Sequence, residues 1–240
     1  MGKIDKRQFT KQEWFAIREQ RRREKARAKA LKEGKEYQEQ QKFRPRHVGF
    51  VLGNGTSRAS VNPEELSPNG IVYGCNALYR SFRPDYLVAV DVKMILEINK
   101  ARFQFENQVW TNPNKAYANM KNLNFFSPSK GWSSGPTALW FASQHGYDRI
   151  YILGFDYKGL EGGKRFNNIY ADTGNYKKSS EGATFFGNWM RQTKQTIKEH
   201  PHIQYIRVKL PDNYEPEELN IFENYSTITV DEFKKQLNLT

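Results

Sequence analysis

The sequence predicts an α/β domain over residues 47–240, a three-layer, mostly parallel, Rossmann-like sheet, preceded by a basic helical arm over 1–46. Three observations carry this expectation. Short apolar runs alternate with stretches of helical period throughout 47–240, the pattern of parallel strands joined by helices that cover both faces of a sheet. Several of these runs end in Gly or Asp, as buried strands do where they open into loops. The charge is also divided: residues 1–46 hold 16 Lys/Arg against 7 Asp/Glu, and residues 47–240 hold 22 against 19. Most of the net charge of +12 therefore belongs to the arm, while a hydrophobic content of 38% supplies a core for the rest.

In the arm, residues 10–42 lack Pro and carry Gly only at position 34, with Glu, Lys, Arg, Gln and Ala in the majority. These are good helix formers, and Thr10 followed by Glu13 forms a capping box at the start. From Gln20 to Lys32 the apolar residues are mostly alanines, so no apolar stripe persists that a core could bury. Two readings stay open. The arm is a solvated charged helix, or it lies on nucleic acid or an acidic protein surface, with Arg21, Arg22, Arg23 and Arg27 on the anionic groups.

Beyond Arg44-Pro45-Arg46 the texture changes. Residues 47–52 read as a buried strand that opens into a loop at Gly53. Runs at 71–73 and 86–90 are similar, the second ending at Asp91. Val92, Ile95, Leu96 and Ile98 lie at near-helical spacing. Weaker strand signals follow at 109–110 and 123–126. Residues 134–145 read as a helix, with Ser133 or Ser134 as N-cap, Pro136 in the first turn and Gly146 as the stop. A strand at 149–153 ends in Gly154. Residues 155–182 show no period, and a loop of that length is either functional or a solvated insertion. Phe185, Phe186, Trp189, Met190 and Ile197 mark a further helix, 203–208 a strand, and 230–237 a closing helix.

One cysteine, Cys75, excludes an intrachain disulfide, which fits a reducing compartment. No run of about 18 apolar residues is present, and the first residues lack the apolar stretch of a secretory signal. A cytoplasmic location is expected on these grounds.

In an open parallel sheet, ligands bind beyond the carboxyl ends of the strands, and the polar residues that follow the predicted strands are the candidates. Gly53-Asn54-Gly55, with Ser57 and Arg58 beyond, would let backbone N–H groups approach an anion, although a tight turn needs the same glycines. Asn76 offers a donor and an acceptor to a ribose or a base edge, or simply forms a turn. Ser133-Ser134-Gly135 places hydroxyls and free N–H groups at a helix N-terminus, where the dipole favours negative charge; ordinary capping would use the same residues. Asp91 and Asp156 would hold Mg²⁺ or a sugar hydroxyl, or cap their loops. The Cys/His spacing of a zinc site and the P-loop pattern are both missing. Lys158, Lys164, Arg165, Lys177 and Lys178, with Tyr157, Tyr170 and Tyr176, suit a lid over an anionic ligand.

Leu52-Gly53-Asn54-Gly55-Thr56-Ser57, Gly74-Cys75-Asn76, Ser133-Ser134-Gly135 and Ile150-Tyr151-Ile152-Leu153-Gly154-Phe155-Asp156-Tyr157 follow in order. Over about residues 47–157 this succession resembles the bacterial sialyltransferases of the Campylobacter type, and the related family that includes archaeal pterin pyrophosphokinases. The resemblance implies a nucleotide-binding transferase, with Asn54, Asn76 and Ser133 or Ser134 on the nucleotide of a donor sugar. It implies that Tyr157, together with Tyr170 or Tyr176, holds the leaving phosphate beside Asp156. The catalytic histidine that the sialyltransferases carry beyond this strand has no counterpart around 185–191. That departure implies a nucleotide site whose reaction has changed or been lost. Two expectations follow: a group-transfer enzyme of glycosyltransferase type, with Mg²⁺ on Asp91 and Asp156 if the chemistry is kinase-like, or a silent nucleotide-fold module whose arm docks into a viral or ribonucleoprotein assembly.

Overall fold

Alternating strand and helix signals become one sheet with helices on both faces. The structure is a computed structural model that describes residues 48–240, so the arm, with Arg21, Arg22, Arg23 and Arg27, lies outside the described residues. The strands are β1 Val48–Leu52, β2 Ile71–Cys75, β3 Tyr86–Val88, β4 Val109–Thr111, β5 Leu123–Phe125, β6 Arg149–Leu153, β7 Gln204–Lys209 and β8 Tyr225–Thr229. The helices are α1 Val92–Lys100, α2 Ser134–Ser143, α3 Gly187–Glu199, the short α4 Glu217–Asn220, and α5 Val230–Leu237. All eight strands pair parallel, in the order β5-β4-β3-β2-β1-β6-β7-β8. The sheet is thus wholly parallel where a mostly parallel one was expected.

The two faces follow from the two-residue period of a strand. Phe50 and Leu52 of β1, and Tyr151 and Leu153 of β6, point to one face, where Met94, Ile95 and Ile98 of α1 and Phe233 of α5 cover them. Val51, Ile150 and Ile152 point to the other, against Ala138, Leu139 and Ala142 of α2 and Ile197 of α3. Every residue of α2 but Trp140 is buried. That helix lies between the sheet and α3, and Ser, Gly, Thr and Ala are what let it fit there.

Two elements escaped the sequence reading. One is β8, an edge strand whose sequence Tyr-Ser-Thr-Ile-Thr is polar because most of it is only half-buried. The other is α4, a single turn. The helix predicted over 134–145 ends at Ser143, and Gly146 takes a left-handed φ of 71° just beyond.

Topology sets the site. The chain leaves β1 towards β2 on one side, while β6 lies on the other side of β1. The chain therefore leaves β1 and β6 towards opposite sides, and the carboxyl edge at such a switch is where a parallel sheet offers a crevice. No helix among the described residues is long and apolar enough to cross a membrane.

Candidate functional site at the carboxyl edge

A cavity of about 300 Å³ opens at this crevice, at the lower end of the range for small-molecule sites. Residues from four loops line it: Asn54 and Gly55 after β1, Asn76 after β2, Asp91 after β3, and Gly154 and Asp156 after β6. Ser133 and Ser134 bring the N-terminus of α2, and Phe186 and Trp189 bring the start of α3. Of the residues singled out from sequence, Asn54, Gly55, Asn76, Asp91, Ser133, Ser134 and Asp156 thus meet in one place, whereas Gly53, Ser57 and Gly135 do not line the cavity. They divide, however, into groups already bonded and groups that are not.

The loop after β1 belongs to the bonded class. The N–H of Gly53 donates to the Leu153 carbonyl at 2.8 Å, and that of Gly55 donates to the Gly154 carbonyl at 2.9 Å. Thr56 N–H donates to Asn167 Oδ1 at 2.9 Å, and Ser57 N–H to Asp156 Oδ2 at 3.1 Å. The Ser57 hydroxyl donates to the other Asp156 oxygen. The glycines serve this clasp, because a Cβ on Gly53 would lie 2.5 Å from the Gly154 carbonyl oxygen and one on Gly55 would lie 2.5 Å from Asp156 Oδ2. Of the N–H groups expected to meet an anion there, those of Gly53, Gly55, Thr56 and Ser57 are therefore already held, and that of Asn54 alone has no partner among the described residues. The turn ties β1 to β6.

Asn54 is buried and engaged as well. Its amide donates to the Cys75 carbonyl at 3.2 Å and to the Tyr176 hydroxyl at 3.3 Å. Asp156 accepts from Ser57 at both carboxylate oxygens, which leaves it fewer lone pairs for the Mg²⁺ expected on Asp91 and Asp156. No group of three or more His, Cys, Asp or Glu suited to a metal occurs among the described residues. The Cys75 thiol is buried, which pushes its pKa up to about 12 and fits a small core residue.

The three tyrosines expected at the leaving group do not line the cavity. The buried Tyr157 hydroxyl donates to Thr193 Oγ1 of α3 at 3.1 Å, and its ring lies beneath the Arg207 guanidinium. Burial raises its pKa. Tyr170 shares a hydrogen bond with Ser81 Oγ at 3.0 Å. The Tyr176 hydroxyl accepts from Asn54 and from Ala77 N–H. From the long segment after β6, it is Phe166, Asn167, Asn168, Thr184 and Phe186 that reach the cavity. Sequence reasoning missed these. The only signal they gave was Asn and Phe in an aperiodic stretch, and that pattern does not say which side chains turn inward.

The unbonded class clusters at the start of α2. Ser133 makes no side-chain cap bond, and its hydroxyl has no hydrogen-bond partner among the described residues. The N–H groups of Ser134 and Gly135 carry no backbone partner among the described residues, and Pro136 has none to offer. Ser134 Oγ–H donates to Asn76 Oδ1 at 2.7 Å and accepts from Val90 N–H at 3.0 Å, which locks the ends of β2 and β3 to the helix. Asn76 adopts a left-handed φ of 50°, a conformation asparagine tolerates well. Its oxygen is held by Ser134, so its NH₂ remains to face a ligand. Gly135 is required because a Cβ there would sit 2.5 Å from the Trp189 ring. Trp189, packed on Phe155 at 5.2 Å, makes an aromatic wall against the first turn of α2.

Asp91 completes the lining. It precedes α1 but makes no side-chain cap bond. Burial alone raises its carboxyl pKa. The residue is nevertheless solvent-exposed. The two agree for a carboxylate at the mouth of a concave site, open to water on one side and walled by protein on the others. No Lys, Arg or His lines the cavity among the described residues. Comparison with known proteins adds no relative: no family model, curated protein or solved structure matches the chain.

Proposed function

We propose that residues 47–240 bind a nucleotide, as the donor in a group transfer of glycosyltransferase type. The observation that carries this reading is the set of unbonded donors at the start of α2, beside the aromatic Phe186 and Trp189 in one cavity at the topological switch of a parallel sheet. The free N–H groups of Ser134 and Gly135, the Ser133 hydroxyl and the helix dipole favour a phosphate. Trp189 and Phe186 offer ring faces to a base, and the Asn76 amide donates to a phosphate or a sugar. Across the edge from β6 to β3 the polar groups span about 14 Å, three strand spacings, which suits a ligand laid along the edge. Transfer would draw on positioning and on stabilising the leaving phosphate at the helix N-terminus. The resemblance to sialyltransferases over 47–157 supports the same reading.

A second reading has one observation in its favour. No histidine among the described residues lines the cavity, and the tyrosines that would meet a leaving group are bonded elsewhere. The domain would then be a silent nucleotide-binding module, with Arg21, Arg22, Arg23 and Arg27 of the arm on nucleic acid or an acidic protein surface. A thermal-shift screen of nucleotides and nucleotide sugars, with and without Mg²⁺, tests the first reading. Stabilisation by at least one nucleotide is expected, and Mg²⁺ is expected to add little, because Asp156 is committed to Ser57. If no nucleotide stabilises the protein, the nucleotide reading is overturned. Binding without turnover of any nucleotide sugar would favour the silent module.

A further inference from the structure

The two ends of the cavity differ in chemistry. Gly135 turns the start of α2 towards Trp189 of α3, beyond β6. Ser134, one residue earlier, turns it towards Val90 at the end of β3. Asp91 follows directly. The donors at the start of α2 therefore stand between an aromatic end and a carboxylate end. A nucleotide sugar has the same three-part order of base, phosphate and sugar.

Among the described residues, the carboxylate end holds acceptors and no cation. Asp91 has no side-chain hydrogen bond or ion pair among the described residues, and burial is the only influence that shifts its pKa. The second carboxylate of the lining, Asp156, has its oxygens on Ser57. The nearby cation Arg58 is buried behind the β1–β6 clasp. Its Nε donates to the Gly53 carbonyl and its Nη2 to Asn54 Oδ1, so it does not line the cavity. An unpaired carboxylate in a cleft gains most from O–H donors, since hydrogen bonds to a charged acceptor are about twice as strong as neutral ones. A second carboxylate brought to the same place would meet like charge with nothing to balance it.

We infer that the Asp91 end is a sugar subsite for a neutral, hydroxyl-rich sugar, and that it rejects a sugar that carries a carboxylate. This rests on the nucleotide-binding reading above and deepens it. It also departs from what the resemblance implies, because a sialic acid donor carries a carboxylate on the transferred sugar.

The test is calorimetric titration of the full chain, without added metal, with two ligand series: UDP, UDP-glucose and UDP-glucuronate; then GDP, GDP-mannose and GDP-mannuronate. In the series whose base is accepted, the neutral sugar nucleotide should bind more tightly than the bare diphosphate. It should also bind about tenfold or more tighter than its uronate counterpart, the scale of a close like-charge contact in a partly solvated cleft. Asp91→Asn should bring the neutral and uronate ligands to within about threefold of each other. The Asp91 side chain makes no cap bond, so this variant should stay folded; Asp91→Ser, checked by circular dichroism, is a second route to the same comparison. Nucleotide binding to which a sugar adds nothing would overturn the subsite and leave the nucleotide reading standing. So would a uronate that binds as tightly as its neutral partner, or a gap that Asp91→Asn leaves unchanged. If no ligand of either series binds, and CMP and AMP do not bind either, both readings fall together.

Discussion

Two stretches on the same edge of the sheet carry equally suggestive sequences and do different work. In the loop after β1, the N–H groups of Gly53, Gly55, Thr56 and Ser57 have protein partners, mostly in the loop after β6, and only that of Asn54 has none among the described residues. At the start of α2, the N–H groups of Ser134 and Gly135 and the hydroxyl of Ser133 have none among the described residues. A buried polar group left without a partner costs about 1–3 kcal/mol. The first stretch largely avoids that cost by closing on itself; the second leaves Ser133 and Ser134 on a cavity where water or a ligand can reach them. A glycine-rich turn is therefore a poor guide to an anion site until the destinations of its N–H groups are known. The start of a helix is a better one, because its first N–H groups cannot find partners within the helix.

This contrast breaks most visibly at the clasp. Asp156→Ala should lower the unfolding free energy by about 3 kcal/mol, since it strands the buried Ser57 N–H and hydroxyl that a charged acceptor now holds. Urea denaturation followed by circular dichroism measures it; a loss below about 1 kcal/mol would show that the clasp is not what joins β1 to β6. Asn54→Ala comes next, at about 1–2 kcal/mol, because its amide bridges β2 and the Tyr176 hydroxyl. Any weaker nucleotide binding in that variant should accompany a looser segment 166–176, visible as faster amide hydrogen exchange there.

The Arg80 latch is smaller and depends on pH. Arg80 pairs with Glu97 through Nε at 2.7 Å and Nη2 at 2.7 Å, while Nη1 donates to Thr173 Oγ1 and Nη2 also to the Gly174 carbonyl. The hydrogen bonds from Arg80, foremost among its neighbours, hold the Glu97 carboxyl down to about 2. A carboxyl lowered in the folded state contributes stability that is fully present above its unfolded value of about 4.3, and that contribution is lost as pH falls towards 2. Glu97→Gln should cost about 1 kcal/mol at neutral pH for this partly exposed pair and nothing near pH 2. It should also flatten the acid limb of stability between those limits. An unchanged acid limb would mean that the latch does not hold segment 170–176.

The smallest expected effect lies at the other stretch. Ser133→Ala should change stability by less than about 0.5 kcal/mol, since its side chain makes no bond that would be lost. The same substitution should weaken nucleotide binding several-fold in a calorimetric titration. A destabilised variant with undiminished affinity would turn the assignment around.

Much of this fold could be read in the sequence, because hydrophobic period and helix-end residues report burial, and burial is what a parallel sheet demands. The strands at β1, β2 and β6, and helix α2 with its Ser133 cap, belong to that class. β8 was missed because an edge strand buries too little to look apolar. The capping box Thr229–Glu232 that starts α5 was also overlooked, although Thr-x-x-Glu stands in the sequence. The site was legible as a set of positions after strands and opaque in its roles. Whether Asp156 or Asp91 keeps a free carboxylate, and whether Tyr157 faces the cavity or Thr193, depends on side-chain direction across distant segments, which no local pattern encodes. The aromatic wall of Phe186 and Trp189 looked like helix core for the same reason.

The claim that the start of α2, and not the glycine-rich turn, receives the ligand is tested most directly by amide chemical shifts in ¹⁵N-labelled protein titrated with a nucleotide that stabilises it. Ser134, Gly135 and the Asn76 side-chain amide are predicted to move most and to saturate together, while the amides of Gly53, Gly55 and Ser57 stay within the small shifts of neighbours. Largest shifts at 53–57, with Ser134 and Gly135 unmoved, would contradict the account.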